Sequence, residues 1–169
     1  MLIRRADVDD AEAIRAIYND EVTGGVAVFD IRPRDLDAQR RWIVDRSGAH
    51  AVLVAEFDGS VIGFASLSPY RDRPAYNTTV ENSVYVHRDH RGGGVGKALL
   101  DELLRVAADH GFHTVIARIA GSNAGSVRLH EACGFEHVGI EREVGRKFGR
   151  WLDVVEMQHM LGHAPAPPR

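Results

Sequence analysis

The sequence predicts an α/β protein built on a mixed β-sheet with helices on both faces. Three observations predict it. Apolar runs of strand length first arrive in adjacent pairs and later alternate with helical patterns. Asp58-Gly59 separates two such runs, the signature of a two-residue hairpin. A β-branched run, Val84 to Val86, leads through the glycine-rich stretch Arg91 to Lys97 into a helical pattern of leucines. The 169 residues suffice for one domain with a sizeable core, expected over 1–162, with a disordered proline-rich tail at 163–169.

Leu2 to Arg4 reads as a short strand. Asp7, Asp9 and Asp10 supply the cap and first-turn acids of a helix that carries Ala13, Ile14, Ile17, Tyr18 and Glu21 at helical spacing. Thr23 to Ile31, with Gly24, Gly25 and apolar Val26, Val28 and Phe29, breaks that helix into a loop. Pro33 closes the loop. A second helix runs from Asp35 to near Gly48, and strands follow at 51–57 and 61–67. Ser68 to Ala75 holds Pro69, Arg71, Arg73 and Pro74 and reads as a loop. Tyr76 to Val86 alternates and reads as one long strand. The glycine stretch then opens a helix to about His110, and Thr114 to Ile119 is a strand. Ser122 or Asn123 caps a helix that Gly134 terminates. Phe135 to Glu143 is a strand, Arg146 to Arg150 a basic loop, and Trp151 to Leu161 the last strand. A β-α-α-β-β-β-α-β-α-β-β order calls for a mixed sheet.

Composition narrows the function. Apolar residues make up 44% and charged residues 27%, a soluble globular profile. Twenty-one basic and 24 acidic side chains leave a formal charge of −3 with no basic block, which argues against a nucleic-acid partner. The N-terminus has no signal-peptide core, and no apolar run approaches membrane-spanning length, so no membrane partner is expected. Cys133 has no second cysteine to pair with, which fits a reducing compartment and a cytoplasmic protein. His87 and His90 have metal-like spacing but no accompanying carboxylate or cysteine set, and read as surface histidines.

A strand, a glycine turn and a helix make a phosphate site. Glycines let backbone approach an anion, and the first turn of a helix points unpaired N–H groups at it. Arg91 and Lys97 bracket the turn with positive charge. A mononucleotide loop needs a hydroxyl where Ala98 stands. A dinucleotide fingerprint does not fit, because Gly92, Gly94 and Gly96 are each two apart. The pattern Q/R-x-x-G-x-G/A fits at Arg91, Gly94 and Gly96. A glycine-rich connection without a ligand remains the alternative for this stretch alone.

That pattern resembles the pyrophosphate loop of the GCN5-related N-acetyltransferases (GNAT). A second match follows in Asn123-x-x-Ser126-x-x-Leu129-His130-x-x-x-Gly134-Phe135. Within the superfamily the chain most resembles the phosphinothricin and methionine sulfoximine acetyltransferases. The matching stretches are Val28-Phe29 with Pro33, Pro69 to Tyr76, Thr79 to Val86, Leu129 to Ala132 and Trp151 to Val154. The resemblance implies a mostly antiparallel sheet of about seven strands with a splayed adjacent pair, the fourth and fifth, and about four helices. It implies acetyl-CoA as cosubstrate, no metal, a small amino acid analogue as acceptor and a homodimer. The apolar loop from Val26 to Ile31 is consistent with a subunit contact.

The resemblance also implies site roles. Attack on a thioester needs a neutral amine, so a base must take the ammonium proton. Glu81 is the implied base, and His130 the implied donor of a proton to the departing thiolate. Backbone of Val84, Tyr85 and Val86 would pair with the pantetheine arm, with one N–H polarising the thioester carbonyl. Arg91, Gly92, Gly93, Gly94, Val95, Gly96 and Lys97 would cradle the diphosphate, and Asn123 and Ser126 would contact the cofactor. Arg71 or Arg73 would hold the substrate carboxylate, with Phe29 and Tyr76 as walls. Acetylation of a protein N-terminus or an antibiotic amine, and a non-catalytic CoA sensor, are the alternatives.

Overall fold

In the computed structural model, which describes residues 1–46, 48–121 and 123–162, short-range chemistry sets the element ends. Asp7 accepts from the N–H of Asp9 at 2.8 Å, and Asp10 accepts from the N–H of Asp7 at 2.9 Å. This reciprocal cap starts a 3₁₀ turn that continues into α1 (Ala11–Gly24). Asp35 caps α2 (Leu36–Val44), accepting from Ala38 N–H at 2.7 Å. The chain then forms β2 (Val52–Phe57) and β3 (Ser60–Pro69), after the opening strand β1 (Leu2–Arg5). Asp58 and Gly59 have φ of 50° and 74°, as the expected primed hairpin turn requires. There follow β4 (Thr79–Val86), α3 (Val95–Asp109), β5 (Thr114–Ala120), α4 (Ala124–Ala132), β6 (Glu136–Lys147) and β7 (Arg150–Met160).

The seven strands form one sheet in the order β1-β2-β3-β4-β5-β7-β6. The β4–β5 pairing is parallel and the other pairings are antiparallel. One core lies between the sheet and α3, with Leu53, Leu67, Val80, Leu99, Leu100, Leu103 and Met157 at its centre. A second core joins the other face to α1 and α2 through Ile14, Ile17, Ile43, Val54 and Phe64. Gly63 lets α3 seat tightly: a Cβ there would lie 3.0 Å from the Tyr85 carbonyl and 3.1 Å from Leu99. Among the described residues no helix is long and apolar enough to cross a membrane.

Three expectations need correction. Tyr76 is not in the long strand. Pro74 occupies the first turn of a 3₁₀ segment through Tyr76, so β4 starts only at Thr79. Arg146 and Lys147 are not loop residues but the end of β6, and the turn is confined to Phe148 and Gly149, with φ of 49° and 72°. Lys147 reads as a loop cation yet is buried. Its Nζ donates to the carbonyls of Val28 at 3.0 Å and Glu21 at 3.2 Å, which satisfies a charge inside the fold. The second helix ends at Val44 rather than near Gly48. Asn123 is the cap of α4. Ser122 and the tail at 163–169 lie outside the described residues.

Leu100 is fully buried between α3 and the sheet. Leu100→Ala is expected to cost about 2–5 kcal/mol, read from the midpoint of urea unfolding at unchanged slope.

Candidate active site

The site begins where β4 and β5 part. Their parallel ladder runs from Thr79 opposite Thr114 to Asn82 opposite Ala117 and goes no further. Beyond it β4 stays bonded to β3 as far as Val86 opposite Gly63, and β5 stays bonded to β7 as far as Ala120 opposite Val154. Each strand is held on its outer edge while the inner edges diverge. A groove of about 610 Å³ fills the gap, with Ser83 to Val86 on one wall and Arg118 to Ala120 on the other.

Two helix N-termini border this groove. Gly94 caps α3 at φ 81°, and Gly94, Val95, Gly96 and Lys97 line the groove together with Arg91 and Gly92. Asn123 caps α4, its Oδ1 accepting from Ser126 N–H at 3.1 Å, and both residues line the opposite side. Unpaired N–H groups and the positive ends of two dipoles therefore face one cavity, with Arg128 adding a further basic side chain. Arg91 donates through Nε to the Val86 carbonyl at 3.1 Å and pairs with Glu21 through Nη2. Of the residues expected at the cofactor, Gly93 alone stands outside this lining.

Glu81 occupies the other side of the sheet, because neighbouring residues of a strand face opposite ways. It lies opposite Ile116, two positions before Arg118 on β5, and Arg118 lies opposite Glu156 on β7. Paired positions share a face, so Glu81, Arg118 and Glu156 form one charged row. The Arg118 guanidinium pairs with Glu141 on β6. Burial pushes the half-buried Glu81 carboxyl up. Arg118 opposes that shift, and the negative charges of Glu156 and Glu141 add to it.

None of the expected substrate residues lines the groove, and Arg71 and Tyr76 reach the charged row through Tyr70. Tyr70 donates to Glu156 Oε1 at 3.4 Å and meets Tyr76 edge to face at 5.5 Å. The Arg71 guanidinium lies 4.8 Å from the Tyr70 ring centre and 5.7 Å from that of Tyr76. Arg73 is exposed and precedes the turn of Tyr76. Phe29 rests on β6: a Cβ at Gly145 would lie 2.4 Å from its Cζ.

His130 lines the groove, but both its ring nitrogens are engaged. Nδ1 lies 2.7 Å from the Ser126 carbonyl, and Nε2 lies 2.9 Å from Asn82 Nδ2. A carbonyl only accepts, so the ring proton sits on Nδ1, and Nε2 accepts from the Asn82 amide. Burial lowers its pKa and keeps the ring neutral. In this arrangement the ring proton is turned into α4. Cys133 is buried, its thiol pushed up to about 11 by burial and then by Asp101.

Arg118 and Glu156 were absent from the sequence reading. Arg118 is the one charged side chain in the apolar run Thr114 to Ala120, and a charge placed there signals a strand face without a covering helix. No local pattern marks Glu156, whose relevance comes from pairing 38 positions from Arg118 across the sheet.

A strand pair that opens onto two helix starts, beside a row of charged side chains, makes a groove suited to an elongated anionic ligand. Residues 11–135 match the Acetyltransferase (GNAT) family. The chain is 42% identical to an L-methionine sulfoximine/L-methionine sulfone acetyltransferase of Salmonella typhimurium, across 99% of this chain and 98% of that protein. It is 41% identical to a phosphinothricin N-acetyltransferase of Alcaligenes faecalis, across 90% of this chain and 79% of that protein. An acetyltransferase structure from Salmonella typhimurium with its cofactor acetyl-CoA superposes with a TM-score of 0.95 at 41% identity, covering 99% of this chain and 98% of that one. The chain belongs to the GNAT acetyltransferase family, and it is an N-acetyltransferase.

The Glu81 row yields opposed shifts. In Arg118→Gln the Glu81 carboxyl should titrate at higher pH, because a neighbouring cation is lost. In Glu156→Gln it should titrate at lower pH, because a neighbouring anion is lost. Carboxyl carbon chemical shifts followed against pH give the sign directly.

Proposed function

We propose that this protein acetylates the α-amine of a small amino acid analogue of the methionine sulfoximine, methionine sulfone or phosphinothricin kind, with acetyl-CoA as donor. One observation carries the reading: the parted β4–β5 groove has a glycine-opened anion site at one end and Glu81 across the sheet at the other. The relatives' substrates supply the choice of acceptor.

The residues present fit such a donor. Gly92 and Gly94 have φ of 79° and 81°, and a Cβ at either would meet nothing within 4 Å, so their backbone is open to a diphosphate. Val84 to Val86 offer inner-edge backbone to an amide-bearing arm, once Arg91 yields the Val86 carbonyl. Bound acetyl-CoA would supply an activated acetyl thioester.

The chain's residues do the rest. Glu81 accepts the proton of the attacking amine, directly or through a water, and its raised pKa suits it to a proton that must later leave. An N–H of the Val84–Val86 stretch donates to the thioester carbonyl as it gains charge. Transfer would be direct: the amine nitrogen bonds to the acetyl carbon as the carbon–sulfur bond breaks, and CoA leaves as a thiolate that solvent protonates. Cys133 is unsuited to carry an acyl group, because its buried thiol stays protonated. Arg71 or Arg73 takes the substrate carboxylate, and Phe29 and Tyr76 flank its side chain. The lone cysteine supports a cytoplasmic setting.

Glu81→Gln should lower kcat by at least ~100-fold while the dissociation constant of acetyl-CoA holds, measured by thiol release and by calorimetry. Turnover within a few-fold of the unmutated enzyme would rule Glu81 out as the base. A panel of amino acid analogues, peptide N-termini and aminoglycosides in the same assay tests the acceptor. Turnover confined to peptides or antibiotics, or tight binding with no turnover, would overturn it.

We also propose that the active form is a homodimer. Val138, Ile140, Val144, Phe148 and Trp151 are each more than half exposed on the edge hairpin of β6 and β7, an apolar surface of the kind subunits bury. Sedimentation equilibrium should give twice the 18.6 kDa chain mass, and Ile140→Glu should halve it; a monomer in the unmutated protein overturns this.

A further inference from the structure

Asn82 follows Glu81 and faces the opposite side of the sheet, at the last rung before the strands part. It is only 5% exposed, and it lines the groove. Its Nδ2 reaches His130 Nε2 at 2.9 Å, while its Oδ1 is shielded and has no hydrogen-bond partner among the described residues. A buried amide oxygen without a donor is unfavourable and rare.

Turning the amide over does not remove the problem. Oδ1 would then face Nε2, which would need a proton, while Nδ1 already needs one for the Ser126 carbonyl at 2.7 Å. That demands a buried imidazolium with Phe135 packed on its ring at 4.9 Å. It would also strand the amide Nδ2 instead. The neutral arrangement leaves a single acceptor, held by His130, at the end of the groove remote from the glycine turn. A donor entering from that turn reaches this end with its pantetheine arm, whose neutral hydrogen-bond donors include its amide N–H groups.

We propose that Asn82 is a cofactor-binding residue whose Oδ1 accepts a hydrogen bond from an amide N–H of the pantetheine arm. His130 is a positioning residue that fixes the Asn82 amide for that bond and supplies no proton to the leaving group. This rests on the groove being the CoA site proposed above. It explains why His130 spends both nitrogens on protein partners.

Calorimetry with three ligands tests it: acetyl-CoA, CoA, and the phosphorylated ADP fragment of CoA that lacks the arm. Asn82→Leu and His130→Phe should each weaken acetyl-CoA and CoA alike by about five- to tenfold, and leave the fragment unchanged. Equal weakening of the fragment, or no weakening at all, overturns the assignment. A loss confined to CoA means that Oδ1 takes the thiol S–H, and overturns it too. Failure of the unmutated protein to bind either thioester or thiol would refute the groove reading instead, a separable outcome. Nitrogen NMR of the unmutated protein decides the matter if the variants do not fold. His130 should keep the Nδ1–H tautomer at neutral pH with and without CoA. The Asn82 amide signal should move with CoA and not with the fragment. A proton on Nε2 in the CoA complex refutes the positioning role.

Discussion

The structure depends on a ladder that stops. Asn82 and Ala117 form its last rung, and past them the inner edges of β4 and β5 lose each other. Interior backbone N–H and C=O groups are seldom left unpaired, so such a gap is stable only where solvent, side chains or a ligand can serve them. Arg91 already serves one of them, at the Val86 carbonyl. The gap is kept open from outside, because β3 and β7 continue to bond the outer edges. It is kept narrow by α3, which Gly63 lets sit against β3 and β4. A Cβ at Gly96 would fall 3.1 Å from Leu129, so α3 and α4 also meet closely, and their starts flank the same cavity.

The parting also decides how chemistry crosses the sheet. Asn82 and Glu81 are sequence neighbours on opposite faces. One belongs to a neutral network with His130 and Ser126, the other to a charged row with Arg118, Glu156 and Glu141. In a continuous sheet these two environments would be insulated by paired backbone. The ladder ends one residue beyond Glu81, so only Asn82 of the two lines the groove. The two cores stay separate on either side of that break, one against α3 and one against α1 and α2.

Much of this was legible in the sequence, and the illegible parts have a common cause. Asp58-Gly59, Asp35 and the Arg91 to Lys97 stretch act within a few residues of themselves, and local chemistry decides them. Lys147 was misread because its charge is satisfied by carbonyls of residues 21 and 28, more than a hundred positions away. Tyr76 reads as strand because the alternation of the run to Val86 includes it, and the turn that Pro74 starts outweighs that pattern. Glu156 and Arg118 become partners by β5–β7 register, a tertiary fact that no window of sequence contains. The hydrogen bonding of His130 is another tertiary fact: its type permits proton transfer, and only the fold shows that both its nitrogens have protein partners.

The C-terminal turn of α1 ties the two faces together. Glu21 holds Arg91 of the glycine turn with its carboxylate, while its carbonyl receives the N–H of Gly25 at 3.1 Å and Lys147 Nζ at 3.2 Å. Lys147 in turn fixes Val28, next to Phe29. One helical turn thus bridges the anion site, the Val26 to Ile31 loop and the β6–β7 hairpin. The Arg91 side chain is more than half exposed but that of Glu21 is only 16% exposed, so parting them leaves a mostly buried carboxylate without its partner. A guanidinium bonded to a diphosphate contributes roughly 1.5–3 kcal/mol per charged hydrogen bond. An anion at the glycine turn would compete with Glu21 for Arg91, and its gain would have to offset that loss. Such an exchange would be felt first at the Val26 to Ile31 loop, which Glu21 and Lys147 hold through the carbonyls of residues 21 and 28.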